Sequence, residues 1–434
     1  MHAATRPLAA ALVTALLADA PARAGSAERA AQALFEGRLD PARAVKVWKR
    51  KGLTPARALA LIQGLLPYRR GKHGDDRLEL VDRHGRRSRA LVHVPDSPRP
   101  DGRYGVLVAL HGLGSDASQL FRPARALAPP GTIVIAPSAV KPWEGLEYED
   151  LRAAGALAKL PILKRVPHWW SYRPDAFPLL ALDQVLARYP VDTARIVLLG
   201  YSMGGFGTWN LGLRYHERFA GLAPLAGGIS RQEYLFGKDE LSRRLLDNAR
   251  GLPAFFAHGD ADSVVPVRFD RWTAERLRAV DADFVYQEVP GGRHVLGNLL
   301  ASPLRERLVS WIAARQRDDH PRVVRHRCVG LYHPGAFWVE ITALRGDSAR
   351  VEARAEGDEV VLEAENVAGL VLYLDPEVIP TDRRVTVTYQ GKVLHRGKVA
   401  PSLWAVARSF ARTRDPRLVY AHGLKLKLPA ARDR

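Results

Sequence analysis

The spacing of apolar residues changes character several times along the chain, and each change marks a different kind of element. "YGVLVAL" at 104–110 and "TIVIAPS" at 132–138 are short, unbroken apolar runs, as expected of strands buried on both faces. Ahead of them, "RLELVD" and "RSRALVHVP" flank His84-Gly85 and read as a hairpin. Behind them, helix and strand signals alternate. Helical spacing over Phe177 to Arg188 leads to the strand Arg195 to Leu199, then to a helix from Met203 to about His216. The strands "FAGLAPLAG", "LPAFFAHGD" and "DFVYQEVPG" follow, separated by the helices "KDELSRRLLDNAR" and "RFDRWTAERLRAV" and closed by "SPLRERLVSWIAAR". Such alternation predicts an α/β fold: a doubly wound, mostly parallel sheet covered by helices on both faces.

Two stretches at the ends depart from this rhythm. Residues 25–76 read as helical, with Thr54 as an N-cap and Pro55 at the first helical position. Beyond His320-Pro321 the helical signal gives way to alternating strands such as "SARVEARA" and "RRVTVTYQGKVLHRG", which predict a small all-β domain. The predicted organisation is a signal segment over 1–24, a helical segment over 25–76, a catalytic α/β domain over 77–318 and a β-rich domain over 319–434. The segment from Lys141 to Pro174, containing proline and tryptophan, interrupts the α/β pattern as an insertion or lid. Its Trp143, Trp169, Trp170 and Tyr172 would either wall a pocket or pack the insertion onto the sheet. In the β region, exposed Trp338, Tyr373 or Tyr389 would favour a polymer-holding surface.

The first residues, "MHAATRPLAAALVTALLADAPARAGS", combine Arg6, an apolar stretch from Leu8 to Ala18 and the small-x-small site Ala22-Arg23-Ala24. This is the layout of a secretory signal, too short to remain as a membrane-spanning helix, and it predicts export. No other segment is apolar for long enough to cross a bilayer. The single cysteine, Cys328, excludes an intrachain disulfide and any cysteine-built zinc site. The formal charge of +19 arises from arginines scattered through the whole chain, with no nucleic-acid recognition motif beside them. It is read as a basic solvated surface.

The chemistry centres on "RIVLLGYSMGGFGTW", where a buried strand runs into Gly200-Tyr-Ser202-Met-Gly204. A nucleophilic serine needs a base, an acid to orient the base, and donors for the oxyanion. In a doubly wound hydrolase these follow in the order serine, acid, histidine, each after a later strand. "HGDADSVVP" offers two acids. Asp262 precedes the turn into the next helix, while Asp260 is accounted for as a turn residue. "VYQEVPGGRHVLGN" then carries His294, the only histidine between the acid loop and the end of the α/β pattern. The oxyanion donors are expected at the N–H of Met203, which opens a helix, and at Leu113 in "VALHGLGSD", with Gly112 and Gly114 as neighbouring alternatives. No cluster has metal-ligand spacing, and the chemistry calls for no metal or cofactor.

Together "HGLGSD", "GYSMGG", "HGDADSVVP" and "GGRH" resemble the serine esterases of the α/β-hydrolase family over residues 77–315. "VDTARIVLLGYSMGGFGTW" with "RYHERFAGLAPLAGG" is similar to the polyhydroxybutyrate depolymerase, feruloyl esterase and prolyl-oligopeptidase-type branch. The resemblance implies an esterase with a Ser202, Asp262, His294 triad, an oxyanion hole from Leu113 and Met203, and an ester as its partner molecule. The rivals are a serine peptidase and a non-catalytic binding protein on the same scaffold. Only about fifty helical residues stand where prolyl oligopeptidases carry a β-propeller, which places the peptidase reading second. Residues 25–76 and 321–434 lie outside the resemblance.

Overall fold

The computed structural model describes residues 21–82, 85–140, 169, 176–229 and 245–429. Its centre is an eight-stranded sheet of β1 (Gly74–Val81), β2 (Arg87–Val94), β3 (Tyr104–Leu110), β4 (Thr132–Pro137), β5 (Val191–Tyr201), β6 (Gly221–Leu225), β7 (Ala254–Gly259) and β8 (Phe284–Val289). The spatial order is β1-β2-β4-β3-β5-β6-β7-β8. β2 runs antiparallel to both neighbours, and from β4 to β8 all pairs are parallel.

Strand period explains how one sheet feeds two cores. In β3, Val106, Val108 and Leu110 face one layer, where they pack with Leu182, Trp209 and Leu213 of the helices Phe177–Leu186 and Met203–Arg214. Leu107 and Ala109 face the other, against Leu120 and Ala124 of the helix Ser118–Leu127 and Leu308 and Ile312 of Leu304–Ala314. Every residue of β3, β4 and β7 is buried, so their continuous apolar runs follow from helices on both sides. β1 lies at the edge and alternates instead.

The chain winds to one side of β3 through β4 and then crosses to the other side through β5. β3 and β5 are therefore neighbours whose outgoing loops diverge. Ligand sites of doubly wound sheets form in the crevice at such a switch point, beyond the carboxyl ends of the strands. Here those ends deliver the loop 111–117 and Ser202.

Among the described residues, three helices precede the sheet: Pro21–Phe35, Pro41–Arg50 and Pro55–Gln63. Asp40 and Thr54 cap the latter two, accepting from the N–H of Arg43 at 2.9 Å and Arg57 at 3.2 Å, with proline at the first helical position in each. Residues 1–20 of the expected signal segment lie outside the described residues, and 21–24 open the first helix. The inserted segment at 141–174 also lies outside them, apart from Trp169. Of the helix expected at 238–250, the described part includes a 3₁₀ turn, Leu246–Gly251.

The region after His320 forms a five-stranded and a four-stranded sheet around their own core. It is not wholly β, however. Leu403–Thr413 is a helix capped by Ser402, and its Val406, Ala407 and Phe410 join Phe35, Trp48 and Ile62 of the N-terminal helices. A buried Arg317 binds both Asp319 and Asp415, and Thr193 donates to Asp415 at 2.8 Å, which ties this region to β5. Trp338, Tyr373 and Tyr389 are all buried, so the aromatic surface entertained from the sequence is absent at these positions.

Candidate active site

The local fold around Ser202 depends on glycines because backbone crowds the turn. A Cβ at Gly200 would lie 2.0 Å from the Gly204 carbonyl oxygen, and one at Gly204 would lie 1.8 Å from that of Leu110. No side chain fits either place. Ser202 itself sits at φ 56°, ψ −117°, a conformation that L-residues rarely adopt. Its N–H donates to the Leu225 carbonyl of β6 at 2.8 Å, which anchors the turn to the neighbouring strand. The helix Met203–Arg214 starts immediately afterwards, so the Met203 N–H belongs to the first turn, where the helix dipole favours negative charge.

The structure brings the three sequence-predicted side chains together. His294 Nε2 is 2.9 Å from Ser202 Oγ, and His294 Nδ1 is 2.5 Å from Asp262 Oδ2. The other oxygen, Asp262 Oδ1, accepts the N–H groups of Val264 and Val265, both at 2.8 Å. With both its oxygens engaged, the buried carboxylate has one orientation, and it fixes the imidazole by its Nδ1–H. Tyr201 stacks on the His294 ring at 5.2 Å. Burial and the charge of Asp262 push the Tyr201 phenol up to about 12, so it stays neutral beside the imidazole. Asp260 is placed elsewhere: it is exposed, and Oδ1 accepts the Gly291 N–H at 2.7 Å. It tethers the two loops without meeting His294.

On the opposite side, His111 shapes the loop after β3. The Ala139 N–H donates to His111 Nε2 at 3.0 Å, so the ring proton is on Nδ1, which donates to the Gly112 carbonyl at 2.8 Å. That carbonyl and the Leu113 N–H share one planar peptide, so fixing the first fixes the second. The Gly112 N–H is taken by Gln119 Oε1 at 2.7 Å, which removes Gly112 from the donor candidates. Burial lowers the proton affinity of His111 and keeps it neutral. Trp169 is buried and donates to the His111 carbonyl at 2.8 Å, so this side chain packs against the loop after β3. Trp143, Trp170 and Tyr172 lie outside the described residues.

Sequence reasoning missed His258. It sits on β7, fully buried, behind Asp262, and its significance depends on Asp270 arriving from the helix Arg268–Ala279. Spacing alone does not mark it among fourteen histidines. Among the described residues, no three His, Cys, Asp or Glu side chains are disposed to hold a metal ion. No helix among them is long and apolar enough to cross a membrane.

The Esterase family model matches residues 82–254. The chain resembles the α/β-hydrolase esterases. It is 25% identical over 225 residues to an uncharacterized secreted protein of Arthroderma benhamiae, covering 45% of this chain and 22% of that protein. It is 28% identical over 126 residues to lysophospholipase-like protein 1 of Mus musculus, covering 29% of this chain and 48% of the mouse protein. The chain thus spans less than half the length of either relative. Among solved structures, a thermostable esterase aligns with 56% of this chain and 63% of its own at 23% identity and a TM-score of 0.40. A ferulic acid esterase from Anaeromyces mucronatus aligns with 57% and 94% at 16% identity and a TM-score of 0.38.

Proposed function

We propose that the protein is an exported serine hydrolase that cleaves carboxylic esters through an acyl-enzyme. The observation that carries this reading is the continuous hydrogen-bonded chain Ser202 Oγ, His294 Nε2, His294 Nδ1, Asp262 Oδ2. His294 takes the Ser202 proton as Oγ attacks the ester carbonyl, and Asp262 stabilises the imidazolium that forms. The N–H groups of Leu113 and Met203 receive the developing oxyanion. His294 then passes its proton to the departing alkoxide, leaving an acyl-serine. Water, deprotonated by the same imidazole, attacks this ester, and collapse of the second tetrahedral intermediate releases the acid and restores Ser202.

The similarity of residues 82–254 to esterases favours an ester over an amide. Three of the exposed large apolar side chains neighbour the site in sequence: Leu113, Val264 and Val295, at 59%, 56% and 50% exposure. They favour an ester with an apolar acyl or alcohol group. Export rests on the signal-like residues 1–24 and on the secreted description of the fungal relative.

A fluorophosphonate probe followed by peptide mapping tests the nucleophile without assuming a substrate. The expected result is a single adduct on Ser202, lost in His294→Ala. Labelling at another serine, or none in the folded protein, would remove the proposal.

A further inference from the structure

Behind the Asp262 carboxylate lies a second histidine whose surroundings define its protonation. His258 is fully buried. Its Nδ1 meets Asp270 Oδ2 at 2.7 Å, and its Nε2 meets the Val265 carbonyl at 2.7 Å, with Asp262 Oδ2 at 3.3 Å from the same nitrogen. Both ring nitrogens therefore face oxygens that accept. An imidazole satisfies two acceptors only by carrying two N–H groups, which is the cation.

The surrounding groups agree with that charge. Asp262 faces His258 from its own loop and Asp270 from the helix Arg268–Ala279. From β8 come Tyr286 and Glu288, and the Tyr286 hydroxyl donates to Glu288 at 2.9 Å. Glu288 is already paired with Arg271 at 2.6 Å, so this exposed ion pair is close to neutral as seen from the interior. Burial alone would strip the proton from His258. The hydrogen bond and charge of Asp270, the Val265 carbonyl and the charge of Asp262 outweigh burial and raise its proton affinity above the ordinary imidazole value. Burial also pushes Asp270 up. The proton between them sits on the imidazole because a second carboxylate faces its other nitrogen.

We infer that His258 is a positioning residue for the proposed reaction: a buried imidazolium that shares Asp262 Oδ2 with His294 and sets the negative charge and orientation His294 meets. The five groups then form one line, Ser202, His294, Asp262, His258, Asp270. Asp262 Oδ1 is tied to the Val264 and Val265 N–H groups, and the Val265 carbonyl is tied to His258. His258 thus closes the acid loop on itself. Electrostatically, the cation offsets part of the carboxylate charge, so the base would be held protonated to higher pH without it. A unit charge within about 10 Å in a protein interior is worth about one pH unit or somewhat more.

The inference rests on the ester-hydrolase reading, and one experiment separates the two. kcat/KM for p-nitrophenyl acetate is measured from pH 5 to 9 on the full chain, on His258→Gln, on Asp270→Asn and on Ser202→Ala, with a thermal melt of each. The expected result is an acidic limb displaced upward by about one unit in His258→Gln. Asp270→Asn moves it in the same direction, because the proton on His258 loses its supporting charge. A folded His258→Gln whose limb coincides with that of the wild type overturns the inference, however far kcat falls. Should His258→Gln fail to fold, Asp270→Asn decides by the same criterion. Undiminished turnover by Ser202→Ala would instead remove the ester-hydrolase reading itself, wherever the limbs lie.

Discussion

Asp262 Oδ2 meets His294 Nδ1 at 2.5 Å, whereas Asp260, two residues earlier, is tied to the Gly291 N–H. The two aspartates are chemically alike and differ only in where the loop after β7 points them. Asp262→Asn should therefore lower kcat by ~10⁴, the usual cost of losing the orienting acid. Asp260→Asn should cost less than about tenfold, because it loosens only a loop tether. Steady-state kinetics on the two variants checks this, and equal losses would transfer the acid role.

The His111 ring hydrogen-bonds to the Gly112 carbonyl and the Ala139 N–H rather than to Ser202 or His294, yet it orients the peptide that carries the Leu113 N–H. His111→Ala should lower kcat by ~10²-fold with little change in KM, since an oxyanion donor acts mainly in the transition state. A variant that raised KM alone would assign the loop to substrate binding instead.

The Gly204 position tolerates no side chain, because its Cβ would meet the Leu110 carbonyl oxygen at 1.8 Å. Gly204→Ala should cost about 1–3 kcal/mol or more of stability, as overpacking does, and displace Ser202 from His294. Chemical denaturation alongside activity measures both. Full activity at wild-type stability would mean that β3 and the turn can separate.

Three buried histidines join the α/β unit to the C-terminal sheets. His326 Nε2 donates to the His333 carbonyl at 2.9 Å, which leaves its Nδ1 to accept from His216 Nε2 at 3.1 Å, and Arg214 donates to His333 Nε2 at 2.9 Å. Burial, reinforced by the neighbouring cations, lowers all three, His326 to about 4. The unfolded chain thus binds protons near pH 6.5 that the native state refuses. Stability is full above that pH and falls as pH drops toward 4, by up to about 1.4 kcal/mol per pH unit for each histidine. Melting temperatures at pH 7.5, 6 and 5 should decline steeply, and His326→Gln should flatten the decline. A flat profile would contradict the buried-neutral arrangement.

Much of this architecture is legible in the sequence, for physical reasons. β3, β4 and β7 announce themselves because both faces are buried, and the turn at Ser202 does so because close backbone contact requires Gly200 and Gly204. The helix Ser118–Leu127 escapes notice because Pro123 sits inside it and no side chain caps it. The helix Leu403–Thr413 has Ser402 as a cap, but Leu403, Val406, Ala407 and Phe410 of its apolar face pack with the N-terminal helices, while Ala405 joins the core of the strands around it. A pattern read locally as β gives it no partner. The same limit hides His258 and the His216, His326, His333 group, whose meaning lies in partners far away along the chain.

The most direct test of the central claim is hydrolysis of a short-chain p-nitrophenyl ester by the purified protein beside Ser202→Ala. Saturable turnover by the wild type is expected, with its loss, by ~10⁴-fold or more, in a variant with an unchanged melting temperature. Equal turnover by both proteins would contradict Ser202 as the nucleophile.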